Sequence, residues 1–413
     1  MRAEWLPITS LDTGDCATDS LTYERGDPQL LFMGSTDSEH RESPCLVLVI
    51  GSLQGGGAER QLSDMANYWA RNGMRVIFAT WMGPSVNDFY SLDSRVRRVF
   101  LNVDIASTAL FPHVRTNLQR VLKLRKLLSR TRPDAVLSFV TESNVLTILG
   151  SLGLGIRTVV SERVQPAVHL MLPGTWRTLR RILYIWSDAV VAQTEEAALW
   201  IQRNCCKKAT VIPNALRVLP VASAERERLI IAVGRLAHQK GFDVLLRAFA
   251  KVASAFDGWR LVIIGEGDER GKLLLLRSEL KLTDRAELPG QSADVATWMA
   301  RAALVVQPSR FEGFPNVVLE AMGMGAAVIS ADCPSGPAVL IEDGINGRLV
   351  PVDDVAALAQ AMAELMSSQD LRKRLGLEAS KVRERFRQDL IIAQWEECLL
   401  PLAEHSQVNA RPE

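Results

Sequence analysis

Two glutamates, Glu312 and Glu320, stand eight positions apart in the segment Arg310–Met322. The segment follows an apolar run, and Gly313 permits the backbone to approach a ligand closely. Pro315 suits the first turn of a helix, whose free N–H groups and dipole bind anions such as a diphosphate. We therefore expect Glu312 in a loop and Glu320 within a helix, in contact with different parts of one extended ligand. An ordinary capped helix with one glutamate would show the same residues, so this pattern alone leaves both interpretations open.

The spacing excludes a pair of carboxyl groups that act together on one bond. Retaining glycosidases need two such groups about 5 Å apart. Eight residues of helix would span about 12 Å. Glu312 and Glu320 are therefore not an acid and nucleophile pair.

A second set of chemically capable residues lies in the segment Val233–Phe242, at the end of an apolar run. Ligands of α/β sheets bind at the carboxyl ends of strands. Arg235 and Lys240 could neutralise a diphosphate there, and Gly234 and Gly241 bracket the tight loop. A solvated loop with two surface cations is the alternative.

Three consecutive glycines, Gly55, Gly56 and Gly57, separate the first apolar run from the next helix. Glycines at such a turn can approach a phosphate closely. The residues match neither the dinucleotide fingerprint nor a P-loop, which would continue with Lys and Ser or Thr. Gly265 and Gly267 also miss the fingerprint, because the third glycine comes one position too late. We therefore infer no NAD site.

These residues must be positioned by elements that alternate between strand and helix. The run Cys45–Ile50 is apolar throughout, as in a strand buried on both faces of a parallel sheet. A helical spacing of Leu62, Met65, Ala66 and Trp69 follows, and such units repeat along the chain. Strands are predicted at residues 45–50, 74–80, 135–139, 157–161, 189–193, 210–212, 229–233, 259–264, 304–307 and 327–330.

The repeated pattern predicts an α/β fold with two doubly wound domains and a cleft between them. A charged connector separates the two halves. The predicted parts are a loosely ordered tail (1–43), a first domain (44–214), a linker (215–228), a second domain (229–386), and a C-terminal helix with a tail (387–413).

The composition limits the classes of protein that the chain can belong to. Its 413 residues are too many for one ordinary core, and 47% hydrophobic with 23% charged residues are typical of a folded protein. The formal net charge of +1 gives no general nucleic-acid signal. Six scattered cysteines and five histidines favour reduced thiols in a cytoplasmic protein without a bound metal. We expect neither a signal peptide nor a membrane-spanning run.

Together the three motifs resemble those of the retaining glycosyltransferases of GT-B architecture known as family 4. That family carries an E-x7-E motif, matched by Glu312 and Glu320, and a G-R-x4-K-G element, matched by Gly234–Gly241. Its glycine-rich first loop is matched by Gly55–Gly57. The resemblance runs from about residue 45 to about residue 400. It implies two Rossmann-like domains that face each other across a cleft, with a C-terminal helix that crosses back.

The resemblance implies a role for each matched residue. Glu320 would hydrogen-bond the ribose of a UDP-sugar donor, and Glu312 would contact the 3- or 4-hydroxyl of its sugar. Arg235 and Lys240 would hold the diphosphate and stabilise the charge of the leaving nucleotide. The backbone of neighbouring residues would complete the donor site: Gly313, Phe314, Pro315, Asn316 and Val317, with Gly55, Gly56 and Gly57. Transfer would retain the anomeric configuration and need no divalent metal.

Two segments of the first domain are predicted to face an anionic membrane. Arg115–Arg132 is rich in basic residues, lacks an acidic one and has an apolar side. Trp176–Trp186 interleaves aromatic residues with arginines, as is typical of the membrane interface. Its other members are Arg177, Arg180, Arg181 and Tyr184. A solvated helix face with ordinary core packing is the alternative.

Finer features resemble bacterial transferases that extend polyprenyl-diphosphate-linked glycans for exopolysaccharide or protein glycosylation. They are Gly55–Arg60, Ser161–Arg163 and Asp332–Pro337. The resemblance implies transfer of a hexose or N-acetylhexosamine to a lipid-linked glycan at the inner face of the cytoplasmic membrane. The chain departs from the subgroup at Val164–Gln165, where an Asn-Asp-Pro-like run is common.

Four residues that follow strands of the first domain are candidates for the acceptor side of the cleft. They are Glu142, Asn144, Glu162 and Arg163. A buried structural pair of Glu162 and Arg163 is the alternative.

Two other functions stay open at this stage. One is a GT-B enzyme with a soluble acceptor, or a nucleotide-sugar epimerase. The other is a non-catalytic binding protein of the same fold, against which the intact Glu312, Glu320, Arg235 and Lys240 speak.

Overall fold

The computed structural model of the chain describes residues 43–83, 88–102, 112–167, 172–205, 208–217, 225–292, 294–334 and 336–401. The predicted N-terminal tail up to residue 42 and the predicted C-terminal tail from residue 402 lie outside these ranges. The described residues form two parallel β-sheets with helices on both faces. The predicted α/β fold with two doubly wound domains is thereby confirmed.

The first domain contains one sheet with its helices. Its strands are β1 (Cys45–Ile50), β2 (Arg75–Thr80), β3 (Arg97–Phe100), β4 (Ala135–Phe139), β5 (Arg157–Ser161), β6 (Ala189–Ala192) and β7 (Ala209–Val211). Its helices are α1 (Gly57–Arg71), α2 (Pro112–Thr131), α3 (Thr141–Ser151), α4 (Gly174–Leu183) and α5 (Glu195–Cys205). The strand order is β3-β2-β1-β4-β5-β6-β7. β1 lies in the interior of the sheet. All six of its residues are buried because helices cover both faces of the sheet.

The second domain repeats this construction. Its strands are β8 (Glu227–Val233), β9 (Arg260–Ile264), β10 (Ala286–Gly290), β11 (Ala302–Gln307), β12 (Ala327–Ala331) and β13 (Arg348–Val350). Its helices are α6 (Phe242–Val252), α7 (Arg270–Glu279), α8 (Val295–Arg301), α9 (Asn316–Gly323), α10 (Val355–Ser367), α11 (Gln369–Ala379) and α12 (Val382–Arg385). The order β10-β9-β8-β11-β12-β13 places a topological switch between β8 and β11, where sheets of this kind bind ligands.

The apolar runs do not predict three of the observed strands. Every predicted strand is present, and its observed ends lie within two residues of the predicted ones. The three are β3, β10 and β13, and all of them lie at sheet edges. Edge strands have one side open to solvent, so they carry polar residues, as Arg97 and Arg98 show in β3. β8 begins at Glu227, two residues before the start of the predicted strand 229–233.

The C-terminal helix α13 (Gln388–Leu399) packs on the first domain, although it follows the second domain in the chain. Trp395 is 1% exposed and its ring lies 5.8 Å from that of Phe139 in β4. The Trp69 indole N–H of α1 donates to Glu396 Oε1 at 3.0 Å. The chain therefore crosses back and ties its two domains together, as the resemblance implies.

The predicted membrane-facing segments prove to be partly core. Arg180 in α4 and Tyr184, which directly follows α4, are fully buried, so the prediction that these two residues face a membrane is wrong. They are held inside because Arg180 stacks on Trp200 and Tyr184 donates to Glu162. Other apolar side chains of α2 and of the α4 region stay exposed: Val114, Leu118, Leu122, Leu179, Ile182, Ile185 and Trp186. None of the helices that the structure describes combines the length and apolarity needed to cross a bilayer.

Replacement of Trp395 by alanine should strongly lower the free energy of unfolding of the first domain. The change leaves a cavity in a core that α13 shares with β4, and such changes cost about 3–5 kcal/mol. Urea unfolding of the full chain measures the loss. Leu390→Ala on the same helix, at a side chain that is 46% exposed, is the control and should change the free energy of unfolding by less than about 0.5 kcal/mol. Equal effects of the two variants would contradict the crossover packing.

Candidate functional site

Two loops at the carboxyl edge of the second sheet are joined to each other by hydrogen bonds. One loop, residues 234–241, follows β8, and the other, residues 308–315, follows β11. The Arg310 amide donates to the Gln239 carbonyl at 2.8 Å, and the Gln239 side chain donates to the Phe311 carbonyl at 2.8 Å. The Arg310 guanidinium also binds Asp243 at the start of α6, at 2.9 and 3.0 Å. The two motifs that lie far apart in the sequence therefore form one unit.

Glycine at position 241 makes this close approach possible. Its φ is +64°, a left-handed conformation that side chains disfavour. A Cβ atom there would overlap the carbonyl oxygen of Pro308 in the neighbouring loop. The glycine that ends the G-R-x4-K-G element is thus required by packing.

Lys240 and Glu312 form an ion pair inside this unit, with Nζ 2.7 Å from Oε1. The Glu312 side chain is 8% exposed and also accepts from Gln307 Nε2 at 2.9 Å. Cys333, which follows β12, lies in the same electrostatic surroundings. Burial, together with the Glu312 charge, raises the pKa of the Cys333 thiol to about 12, so this thiol stays protonated. Glu312 is held in place as a fixed acceptor beside a cation.

Arg235 is placed differently from Lys240. Its side chain is exposed, and within the described residues it makes no hydrogen bond or ion pair. It follows β8 at the topological switch, so its charge is available to an anion that enters the cleft. Among the described residues, this pair of motif cations therefore consists of Lys240, which is ion-paired, and Arg235, which is not.

The start of α9 and the start of α1 lie next to each other across the cleft. A Cβ atom at Gly57 would lie 3.2 Å from the side-chain nitrogen Nδ2 of Asn316, the first residue of α9. Neither the N-cap of α1, Gly56, nor that of α9, Pro315, makes a side-chain capping hydrogen bond. Two helix N-termini without side-chain caps therefore lie next to each other, and the dipole of each favours an anion.

The backbone donors at the start of α9 are not all free, however. The Asn316 amide donates to the Phe314 carbonyl at 3.0 Å, so the expectation that this N–H faces a ligand is wrong. The Asn316 side chain instead accepts from Asn214 Nδ2 at 2.6 Å. Phe314 itself is buried against Phe386.

Gly313 packs directly on the backbone of the first domain. A Cβ atom at this position would overlap the Arg163 carbonyl oxygen and would lie 3.1 Å from the Val164 Cα atom. The donor-side loop and the loop after β5 are thus in contact in the closed arrangement of the two domains. Glycine is required here for close approach, as predicted, but the partner is protein backbone.

Glu320 also pairs across the cleft. It is 7% exposed, and its carboxylate binds the guanidinium of Arg60 in α1. Burial raises the pKa of the Glu320 carboxyl above its ordinary value, because water is excluded from the charged form, and the Arg60 charge opposes this rise. The second glutamate of the motif therefore depends on the first domain for its counter-ion.

Two of the acceptor-side candidates do not line the cleft. Asn144 is fully buried. Its side-chain amide accepts a hydrogen bond from the Ser138 hydroxyl and donates to the Ser161 carbonyl and the Tyr184 hydroxyl. Glu162 is 3% exposed, accepts from Thr141 and Tyr184, and lies 3.8 Å from Arg180. These side chains form a polar core beneath the loop, so their prediction as acceptor ligands is wrong.

The other two candidates have different surroundings. Arg163 is 7% exposed, donates to Asn214 and stacks on Phe139, so it does not form the alternative pair with Glu162. Its backbone, which meets Gly313, is its link to the site. Glu142 is half-buried in the first turn of α3 and has no hydrogen bond or ion pair among the described residues. Glu142 stays a prediction.

Two residues of the site were missed by the motif analysis. Arg60 stands three positions after the last of the three glycines, and a cation in the first turn of a helix is a signal because it opposes the dipole. Asn214 follows β7, at the carboxyl edge of the sheet where ligands bind. Which partner each residue meets depends on the other domain, so its role is invisible in the local sequence.

Two Rossmann-like domains, each with its carboxyl strand edge turned to a shared cleft, define the GT-B class of proteins. Comparison with known families agrees with this class. Residues 55–218 match the model described as Glycosyltransferase Family 4, and residues 220–382 match the model described as Glycosyl transferases group 1. The chain belongs to the family 4 type of GT-B glycosyltransferases.

Curated relatives include three with informative names. An alpha-1,4-N-acetyl-D-galactosaminyltransferase of Campylobacter jejuni, named for a diNAcBac-PP-undecaprenol glycan, is 27% identical over 79% of this chain and 90% of its own length. An amylovoran biosynthesis glycosyltransferase of Erwinia amylovora is 25% identical over 86% and 99%. An exopolysaccharide phosphotransferase of Streptomyces coelicolor is 37% identical over 52% of this chain, but the chain spans only 23% of that protein.

Solved structures share the fold. Sucrose-phosphate synthase of Thermosynechococcus elongatus has a TM-score of 0.76 at 19% identity, over 86% of this chain and 98% of that one. An Anabaena protein solved with UDP and glucose has a TM-score of 0.71 at 18% identity, over 86% and 99%. At these identities the likeness concerns the architecture alone.

Substitution of Gly313 by alanine should lower the activity of the enzyme, because it prevents the two domains from approaching each other as closely. The added methyl group meets the Arg163 carbonyl, so the donor-side loop must retreat. A displacement of about 1 Å in an active site can lower kcat/KM by about 100-fold. Gly271→Ala is the matched control, because nothing lies within 4 Å of its added Cβ atom. A Gly313→Ala enzyme as active as the control would show that the contact is not needed.

Proposed function

We propose that the protein is a retaining glycosyltransferase that moves a hexose or N-acetylhexosamine from a UDP-sugar to a lipid-linked glycan during polysaccharide or glycoconjugate synthesis. The convergence of two helix N-termini with Arg235 and Lys240 at the mouth of one cleft carries this proposal. Such an arrangement suits a diphosphate, which offers several anionic oxygens to fixed donors. All of these groups belong to the protein itself, so we propose that the diphosphate is held without a divalent metal.

The donor would lie with its diphosphate between α1 and α9. Its ribose would then reach Glu320 and its sugar would reach Glu312. Arg235 and Lys240 would stabilise the negative charge that grows on the leaving UDP as the glycosidic bond breaks. The Anabaena neighbour solved with UDP and glucose and a Staphylococcus aureus neighbour solved with UDP support a uridine donor by analogy of fold.

Retention would follow a front-side displacement. Glu312 is engaged by Lys240 and Gln307, and Glu320 is engaged by Arg60, so neither carboxylate is free to attack the anomeric carbon. The acceptor hydroxyl would instead approach on the face from which UDP departs, and the anomeric configuration would be kept. The departing phosphate oxygen, still held by the cations, would take the acceptor's proton.

The acceptor side of the proposal is supported by relatives and by the surface of the first domain. The Campylobacter and Erwinia relatives are named for lipid-linked or exopolysaccharide glycans. In α2, Val114, Leu118 and Leu122 form an exposed apolar stripe at four-residue spacing. Ile182 and Trp186 are each 53% exposed at the α4 end of the domain. These side chains, beside exposed Arg115, Lys126 and Arg130, suit the cytoplasmic surface of an anionic membrane.

The overall proposal is tested by binding followed by transfer. A thermal-shift screen of nucleotide sugars should show stabilisation by UDP-sugars, and the best of them should label a lipid extract of bacterial membranes in the presence of EDTA. Retention is read from the anomeric configuration of the product by NMR. Turnover of the donor to an epimer without transfer, or transfer to soluble acceptors only, would contradict the proposal.

Lys240→Ala should lower kcat by about 100-fold or more, because the growing charge on UDP loses a fixed cation. Lys272→Ala removes a lysine that is 76% exposed and paired with Glu269 on α7, and it should leave kcat unchanged. Steady-state kinetics with a saturating donor compare the two. A near-wild-type rate for Lys240→Ala would remove this residue from the catalytic set.

Ile182→Asp should weaken attachment to anionic vesicles. Loss of one buried apolar side chain costs about 1.5–3 kcal/mol, which is about a tenfold or greater loss of binding. Co-sedimentation with phosphatidylglycerol vesicles at low salt measures it. Leu377→Asp is the control, because it changes an exposed leucine of the second domain, at 69% exposed against 53% for Ile182. Equal binding of both variants would place the membrane contact elsewhere.

A further inference from the structure

Glu320 lies where three parts of the chain bring charge together. Arg60 and Asp64 come from α1, one turn apart, and Arg217 comes from the segment that links the two domains. The Arg60 side chain is 25% exposed and its guanidinium binds Glu320 Oε1, while the Glu320 side chain is 9% exposed. A carboxylate buried to this degree needs a cation or strong donors to stay charged.

The pair can form only while the cleft is closed at this point. α1 is built on the first sheet, and α9, which carries Glu320, follows a strand of the second sheet. Lys240 and Glu312, by contrast, both belong to the second domain. Opening of the cleft would therefore leave the Glu312 pair intact and would take from Glu320 the cation nearest to it.

One carboxylate can serve both Arg60 and a ribose. A carboxylate accepts through two oxygens, with about four lone-pair directions in all. Oε1 takes the Arg60 guanidinium, and no group in the described part of the chain donates to Oε2. Glu320 can thus keep its ion pair and still accept a hydroxyl with its second oxygen.

We propose that Arg60 is a positioning residue for the donor nucleoside, which holds the Glu320 carboxylate charged and oriented so that the ribose binds firmly only when α1 closes on α9. This inference rests on the proposed role of Glu320 as the ribose ligand. It makes recognition of the nucleoside depend on a residue of the acceptor-side domain. Donor binding and closure of the cleft then stabilise each other, since both require the same ion pair.

Other titratable groups also face this carboxylate and enter the expected pH dependence. Tyr90, before β3, and Asp64 have pKa values that burial raises, and Arg217 opposes the rise for Asp64. A cavity of about 460 Å³ adjoins Glu320, and its titratable lining comes from α1, the linker and the segment from α12 to α13. Those lining groups are Tyr68, Arg217, Arg383, Arg387 and Asp389.

The experiment measures UDP binding to the full chain by calorimetry between about pH 6 and pH 9. Arg60→Gln should weaken binding by about tenfold or more, because the buried carboxylate loses its partner. Removal of the cation raises the pKa of Glu320 further, so the affinity of this variant should fall at a higher pH than that of the wild type as acid is added. Arg60→Lys keeps the charge and should retain the wild-type pH profile with an intermediate affinity.

A double-variant cycle separates an effect through Glu320 from a general loss of structure. In a Glu320→Gln background, Arg60→Gln should change UDP affinity by less than about twofold, because the two residues act as one unit. Arg71→Gln removes an arginine from the same helix that pairs with Asp93 at the surface, and it should bind UDP like the wild type. Thermal unfolding confirms that each variant is folded, and Arg60→Lys supplies the comparison if Arg60→Gln is not.

The possible outcomes distinguish this inference from the function on which it rests. If the wild type binds UDP and Arg60→Gln binds it equally at every pH, or loses the same factor in the Glu320→Gln background, Arg60 has no positioning role and the proposed function stands. An Arg60→Lys protein with the pH profile of Arg60→Gln would also overturn the inference. A wild type that binds no nucleotide overturns both.

Discussion

The approach of the two domains is set by a backbone contact, the one between Gly313 and the Arg163 carbonyl. The loop after β5 is itself held from below, because Arg163 stacks on Phe139 and donates to Asn214. The donor-side loop is held by its hydrogen bonds to the loop after β8. Two firmly anchored loops therefore meet without side chains between them. This brings the starts of α1 and α9 next to each other.

Within this arrangement the two glutamates of the motif are electrostatically different. Glu312 is paired with a lysine of its own domain, so its charge does not depend on the other domain. Glu320 is paired with an arginine of the opposite domain, so its charge depends on the cleft. Buried carboxylates need partners in either case. A carboxylate that is paired within its own domain is a fixed part of the site. One that is paired with the opposite domain keeps its partner only while the two domains are together.

The first domain combines a rigid polar core with an exposed apolar surface. Glu162, Tyr184, Asn144 and Arg180 bond one another or lie in ion-pair range beneath the loop after β5, which keeps that loop in a defined shape. The helices α2 and α4 pack inward with some residues and leave Leu118, Ile182 and others exposed. The helix α13, which comes from the C-terminal part of the chain, packs into the core of the same domain. The domain is therefore stabilised by residues that the motifs do not contain.

The sequence by itself determined the alternation of strands and helices, the two-domain division and the loops that carry the motifs, because buried parallel strands are continuous apolar runs. It did not mark the edge strands β3, β10 and β13, whose exposed side dilutes the apolar pattern. It placed Glu312, Lys240 and Gly313 in the right loops, but it assigned Glu162 and Asn144 to the cleft, whereas both are buried in the first domain. Only the tertiary structure decided which partner each charge meets, as in the pair of Arg60 and Glu320. That pair joins residues that are 260 positions apart, and no local spacing encodes it.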